Sequence, residues 1–117
     1  MTLSKEVVME KIKKANVVVL NVLPEEEFRE LHIPGSQNLP LGQDQGSFAQ
    51  AAEMKYGREK FFIVYGSSLP SLDAMNAAVA LRKRGLWAEV YLGGMKEWSE
   101  AGLPAEGTNS QKKAVLK

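Results

Sequence analysis

The side chains best grouped for nucleophilic chemistry are Ser67, Ser68 and Ser71, with His32, Asp44 and Asp73 as the possible base and orienting groups. The three serines lie in one segment, Gly66-Ser67-Ser68-Leu69-Pro70-Ser71-Leu72, between a β-branched and aromatic run and a helical pattern. Serines at such a place more often cap the helix or bond backbone than act as nucleophiles. The same segment has a second chemical use. Backbone N–H groups entering a helix can point into one cavity, and the helix dipole favours negative charge there. Gly66 to Leu72 is therefore the expected ligand-binding loop. It lacks the spacing of a phosphate-binding loop and holds no lysine, which argues against nucleotide hydrolysis.

Composition removes several function classes. The sequence has no cysteine, so this chain can form no disulfide, thiolate metal site or thiol nucleophile. A single histidine makes a protein-built zinc site improbable, and no cofactor motif is present. With 15 Lys and Arg against 14 Asp and Glu, the net charge of +1 argues against a general nucleic-acid or acidic-membrane binder. Basic residues do gather at Lys11, Lys13 and Lys14 and at Arg82, Lys83 and Arg84, where they are expected to mark helix ends. The apolar runs, such as Val17 to Leu20, are far too short to span a bilayer, and charges interrupt the opening segment, so a cytoplasmic location is the expectation.

The elements that would position the loop follow from pattern. Ser4 is set to cap a helix through Lys14, with Val7, Val8 and Ile12 on one face. Val17 to Val22 reads as a strand buried on both faces, which predicts a parallel sheet. Pro24 would begin a short helix with Glu25, Glu26 and Glu27 at its positive end, stopped by His32-Ile33-Pro34-Gly35. After an extended stretch to Pro40, Ser47 and Gln50 have the spacing of a capping box for a helix through Tyr56. Phe61 to Tyr65 is the second buried strand and Ala88 to Leu92 the third. Between them, a helix over Leu72 to Arg84 would turn Met75, Ala78, Val79 and Leu81 inward and end at Gly85. Gly93-Gly94 would lead into a last helix carrying Trp98, with Trp98 and Tyr91 in the core. Residues 1–107 are expected to form one domain, and the polar stretch 108–117 a disordered tail.

Taken in order, three sets of residues resemble the rhodanese-like domain family. Asn21-Val22-Leu23 through Glu27-Phe28, then His32-Ile33-Pro34-Gly35-Ser36 and Asn38-Leu39-Pro40, is similar to the family's opening signature. Phe62 to Tyr65 with the following loop and the Ala77-Ala78 helix matches its centre. Val90-Tyr91-Leu92-Gly93-Gly94, Trp98 and Ala101-Gly102-Leu103-Pro104 match its close. The resemblance implies a doubly wound α/β domain with a central parallel sheet and helices on both faces. It also implies sulfur transfer through a persulfide on a cysteine placed directly after the second buried strand, where loop amides, a helix dipole and usually an arginine lower the thiol pKa.

At that position this sequence has Gly66. The loop arginine is missing as well, and Ser71 falls where an extended-loop subgroup often carries a second cysteine. Asn21 and Leu23 replace the family's Asp and Arg; exchanging both members of a buried pair together is compatible with folding. His32 is retained and expected to bond backbone at the turn. The expectation is a catalytically silent domain that binds a small anion or an acidic protein segment at the Gly66–Leu72 loop. The alternative is a sulfurtransferase that uses another nucleophile, or whose natural form carries the cysteine.

Overall fold

In the computed structural model, which describes residues 3–67 and 72–108, the runs apolar on both faces become the strands of one sheet. In chain order the elements are α1 (Lys5–Lys11), β1 (Val17–Asn21), α2 (Glu25–Glu30), β2 (Gln37–Asn38), α3 (Gln45–Tyr56), β3 (Phe61–Tyr65), α4 (Leu72–Lys83), β4 (Trp87–Val90) and α5 (Gly94–Glu100). The strands lie in the order β2-β1-β3-β4 and every pair is parallel. β1 and β3 pair along their whole length, from Val17 opposite Phe61 to Asn21 opposite Tyr65.

Alternate residues of these central strands feed two separate cores. Val18, Leu20, Phe62 and Val64 point to one face, where Phe48, Ala49 and Ala52 of α3 and Ala74, Ala77, Ala78 and Leu81 of α4 cover them. Val19, Ile63 and Tyr65 point to the other, under Val8 of α1 and Met95 and Trp98 of α5, with Tyr91 and Ile33 beside them. Helices thus cover both faces of a doubly wound α/β sheet.

Several boundaries differ from the sequence-based expectation. The α1 helix stops at Lys11 with Ile12 as its C-cap, short of Lys14, while Ser4 caps its start by accepting from the Val7 N–H at 3.3 Å. Pro24 stands just before the first helical residue of α2. Asp44, not Ser47, caps α3: its carboxylate accepts from the Gly46 and Ser47 N–H groups, and the Ser47 hydroxyl donates to it at 2.8 Å. The Ser47 bond, followed by these N–H groups, holds the Asp44 carboxyl below the usual carboxylate range.

The larger correction concerns α4. Met75 and Val79 face outward, 44% and 42% exposed, while the buried positions are mostly alanines. Alanine weighs little in a hydrophobic pattern, yet its small side chain lets a helix lie close to the sheet, and this geometry chose the buried face. Along the open edge, the Tyr91 N–H bonds the Val64 carbonyl, so Ala88 and Val90 present their backbone away from β3. Arg82 Nε donates to the Ala88 carbonyl at 2.8 Å, and the Leu3 N–H donates to that of Val90 at 3.1 Å.

Candidate functional site

β1 and β3 end side by side at Asn21 and Tyr65, so the chain leaves the sheet beside its centre, where open parallel sheets bind ligands. Gly66 follows at once and is buried; Ser67 is exposed. Both residues are tied to α5. The Gly66 carbonyl accepts from the Met95 N–H at 2.9 Å and the Ser67 carbonyl from the Lys96 N–H at 2.6 Å. Gly94 makes this approach possible, because a Cβ there would lie 2.8 Å from the Gly66 oxygen and its φ is +63°. Gly94 thus lets the start of the loop close onto α5, whereas a side chain at Gly93 would meet Glu97 instead. Ser68, Leu69, Pro70 and Ser71, which complete the expected loop, lie outside the described residues. Leu72 opens α4 and is 64% exposed.

On the α1 and α5 side of this crevice lies a buried polar cluster that gave no signal in the sequence. The Tyr65 hydroxyl accepts from the Ile33 N–H at 3.0 Å and shares a 2.8 Å bond with Ser36 Oγ, which itself donates to the Ile33 carbonyl at 2.6 Å. Burial pushes the Tyr65 phenol pKa up, and the bonds from Ser36 and Ile33 only partly offset it. Asn21 is fully buried, and its Oδ1 accepts from the Leu23 N–H at 2.9 Å. Its Nδ2 is left without a hydrogen bond, and Leu23 is buried. A bond from local backbone thus satisfies the Asn21 carbonyl oxygen, at the cost of one orphaned donor.

His32 is committed elsewhere. Its Nδ1 bonds the Phe28 carbonyl at 2.7 Å, its Nε2 lies 3.4 Å from Glu106 Oε1, and its ring stacks on Phe28 with centroids 3.9 Å apart. The expected backbone bond at the turn is borne out. With both ring nitrogens engaged, the imidazole is not placed to serve as a base for Ser67. Trp98 and Tyr91 are core residues as expected; the Trp98 indole donates to the Pro104 carbonyl at 2.7 Å and the Tyr91 hydroxyl to Glu97 at 2.6 Å. Burial, then the Glu97 carboxylate, raises the Tyr91 pKa.

Among the described residues, no group of three or more His, Cys, Asp or Glu side chains could hold a metal ion. No helix among them is long and apolar enough to cross a membrane.

Three comparisons place this geometry among known proteins. A protein from Bacillus halodurans superposes with a TM-score of 0.81 at 22% identity, covering 92% of this chain and 77% of that one. The rhodanese-like domain of an Anabaena protein gives 0.75 at 20% identity over 91% and 78% of the two chains. A rhodanese-related protein from Thermoplasma volcanium gives 0.71 at 24% identity over 89% and 95%. At these identities the likeness establishes the fold. No curated protein matches the sequence. The family model for the rhodanese-like domain matches residues 4–101, most of the chain, and so this chain belongs to the rhodanese-like domain family.

Proposed function

We propose that this domain does not transfer sulfur and works by binding. The observation that carries this is Gly66: it directly follows β3, where the family's motif places the persulfide cysteine, and no residue of the chain is a cysteine. Without a thiolate there is no atom to accept a sulfane sulfur. Support for a binding role comes from the surface beside the loop. Leu72, Met75 and Val79 occupy positions i, i+3 and i+7 of α4 and are all exposed, as is Met54 on the neighbouring α3. Large apolar side chains aligned in this way suit a protein partner that also covers the Gly66–Leu72 loop, whose amides take a small anion or an acidic segment.

The test is an assay of thiosulfate-to-cyanide sulfur transfer with a mass measurement for persulfide. The protein should match an empty control in the first and show no added sulfur in the second; turnover would overturn the proposal. Amide shifts during titration with thiosulfate, sulfate and phosphate should move at Ser67 through Leu72, and unmoved resonances would remove the anion. A Gly66→Cys variant that gains transfer would show a crevice still shaped for the family's chemistry.

A further inference from the structure

The opposite end of the sheet carries a feature independent of the crevice. Helices of a parallel α/β unit run back against the strands, so their C-termini gather where the strands begin. Lys11, Lys55, Arg82 and Lys83 all lie in last turns, and the two basic runs of the sequence converge on this end. An aromatic ledge joins them. Lys11 Nζ lies 5.7 Å from the Phe61 ring centroid, and Phe61 lies 5.9 Å from Trp87. Trp87 is 69% exposed, although it is a large aromatic on a strand.

Beside Trp87 is an open cavity of about 490 Å³ lined by Arg58, Arg82, Gly85, Leu86, Ala88 and Glu89, within the size range of small-molecule sites. Its two guanidinium groups are fixed in place. Arg58 donates to Glu53 at 2.6 Å and to the Arg84 carbonyl at 3.3 Å, and it lies over Gly85, where a Cβ would come within 2.7 Å of it. Arg82 is anchored through Nε alone, on the Ala88 carbonyl, and its terminal nitrogens have no partner among the described residues. Ordered guanidinium groups beside an exposed indole suit a ligand that is both planar and anionic. Glu89, on the cavity wall, adds an acceptor for a ring bearing N–H donors. The net charge of +1 provides no long positive track, which favours one small ligand over a polyanionic strand.

We propose that this cavity binds a small heteroaromatic phosphate of nucleotide type, with its ring stacked on Trp87 and its phosphate on Arg82 and Arg58.

Adenosine monophosphate is the probe, with adenosine and inorganic phosphate as its two halves. Trp87 is exposed and Trp98 buried, so saturable quenching of the solvent-exposed emission reports the site. AMP should quench, adenosine should quench more weakly, and phosphate should compete without quenching. Arg82→Gln keeps a donor for the Ala88 carbonyl and should weaken AMP binding roughly tenfold while leaving adenosine unchanged. Trp87→Leu, followed by the Ala88 amide resonance, should weaken AMP and adenosine alike. Unaltered Trp98 emission in Arg82→Gln, and unaltered far-ultraviolet dichroism and amide resonances away from residue 87 in Trp87→Leu, confirm that each variant is folded. The proposal is overturned by absent quenching, by an Arg82→Gln variant that binds AMP normally, or by phosphate competing as well as AMP. An oligoadenylate that binds more tightly per nucleotide than AMP would also overturn it, in favour of a strand.

Discussion

On one face of the sheet, α3 and α4 bring Ala52, Ala74, Ala77 and Ala78 against Phe62 and Val64, and every buried side chain of the cluster is apolar. On the other, Tyr65, Tyr91 and Trp98 each bond a polar atom: Tyr65, in the interior, to Ile33 and Ser36, and, nearer the surface, Tyr91 to Glu97 and Trp98 to Pro104. The first face is held by volume and close approach. The second uses directional bonds to fix segments that have no secondary structure, namely the turn at residues 33–36 and the strap at residues 103–106. Shape secures the regular elements, and hydroxyls and the indole N–H secure the irregular ones.

The contrast can be broken by substitution. Phe62→Ala, on the alanine-rich face, should lower the unfolding free energy by about 3–5 kcal/mol in urea titrations, because the close-packed helices cannot collapse into the space. A loss below about 1 kcal/mol would mean that this face is not tightly packed. Tyr65→Phe keeps the ring and removes the acceptor of the Ile33 N–H, so about 1–3 kcal/mol should be lost, with hydrogen exchange rising at Ile33 more than at Val64. Equal rises at both amides would contradict a local role for the hydroxyl.

A pH series sharpens the comparison at the surface. The Arg58 bond, then the Arg84 bond, holds the Glu53 carboxyl below its ordinary value of 4.5. A depressed carboxyl contributes stability that is present above the unfolded value and lost as pH falls through the folded one. Glu53→Gln should therefore lower Tm slightly at neutral pH, and the two proteins should come together as pH falls through the lowered Glu53 value. A gap that persists into acid would assign the difference to packing. Met75→Lys should have the smallest effect, within about 0.5 kcal/mol in unfolding, since its side chain faces outward. Loss of a bound partner without loss of stability would place Met75 in an interface.

Much of this arrangement was legible in the sequence because it depends on local pattern. β3 begins and ends where the run Phe61 to Tyr65 does, and Ser4 caps the helix it precedes. The two-residue β2 was not visible, since Gln37 and Asn38 become a strand only by pairing with Leu20 and Asn21. The inward face of α4 departs from its apolar periodicity because that pattern ranks side chains by apolarity, while contact with the sheet selects them by size. Of the candidate loop, Gly66 was legible from its position after a buried run. The Asn21, Ser36 and Tyr65 cluster was not, because three separate segments supply it. Trp87 stands beside the basic run that the sequence did show, but its exposure follows from its place on an edge strand.

That edge has a further consequence. A sheet that stops at β4 would offer a neighbouring molecule an unfilled ladder beside an exposed indole, the combination from which stacked aggregates grow. Here a guanidinium already occupies one outward carbonyl and the backbone at Leu3 the other. The cover of this edge consequently rests on two contacts far apart in sequence. Trimming the first few residues, a change remote from any crevice, would leave a chain that folds yet is more prone to add copies of itself.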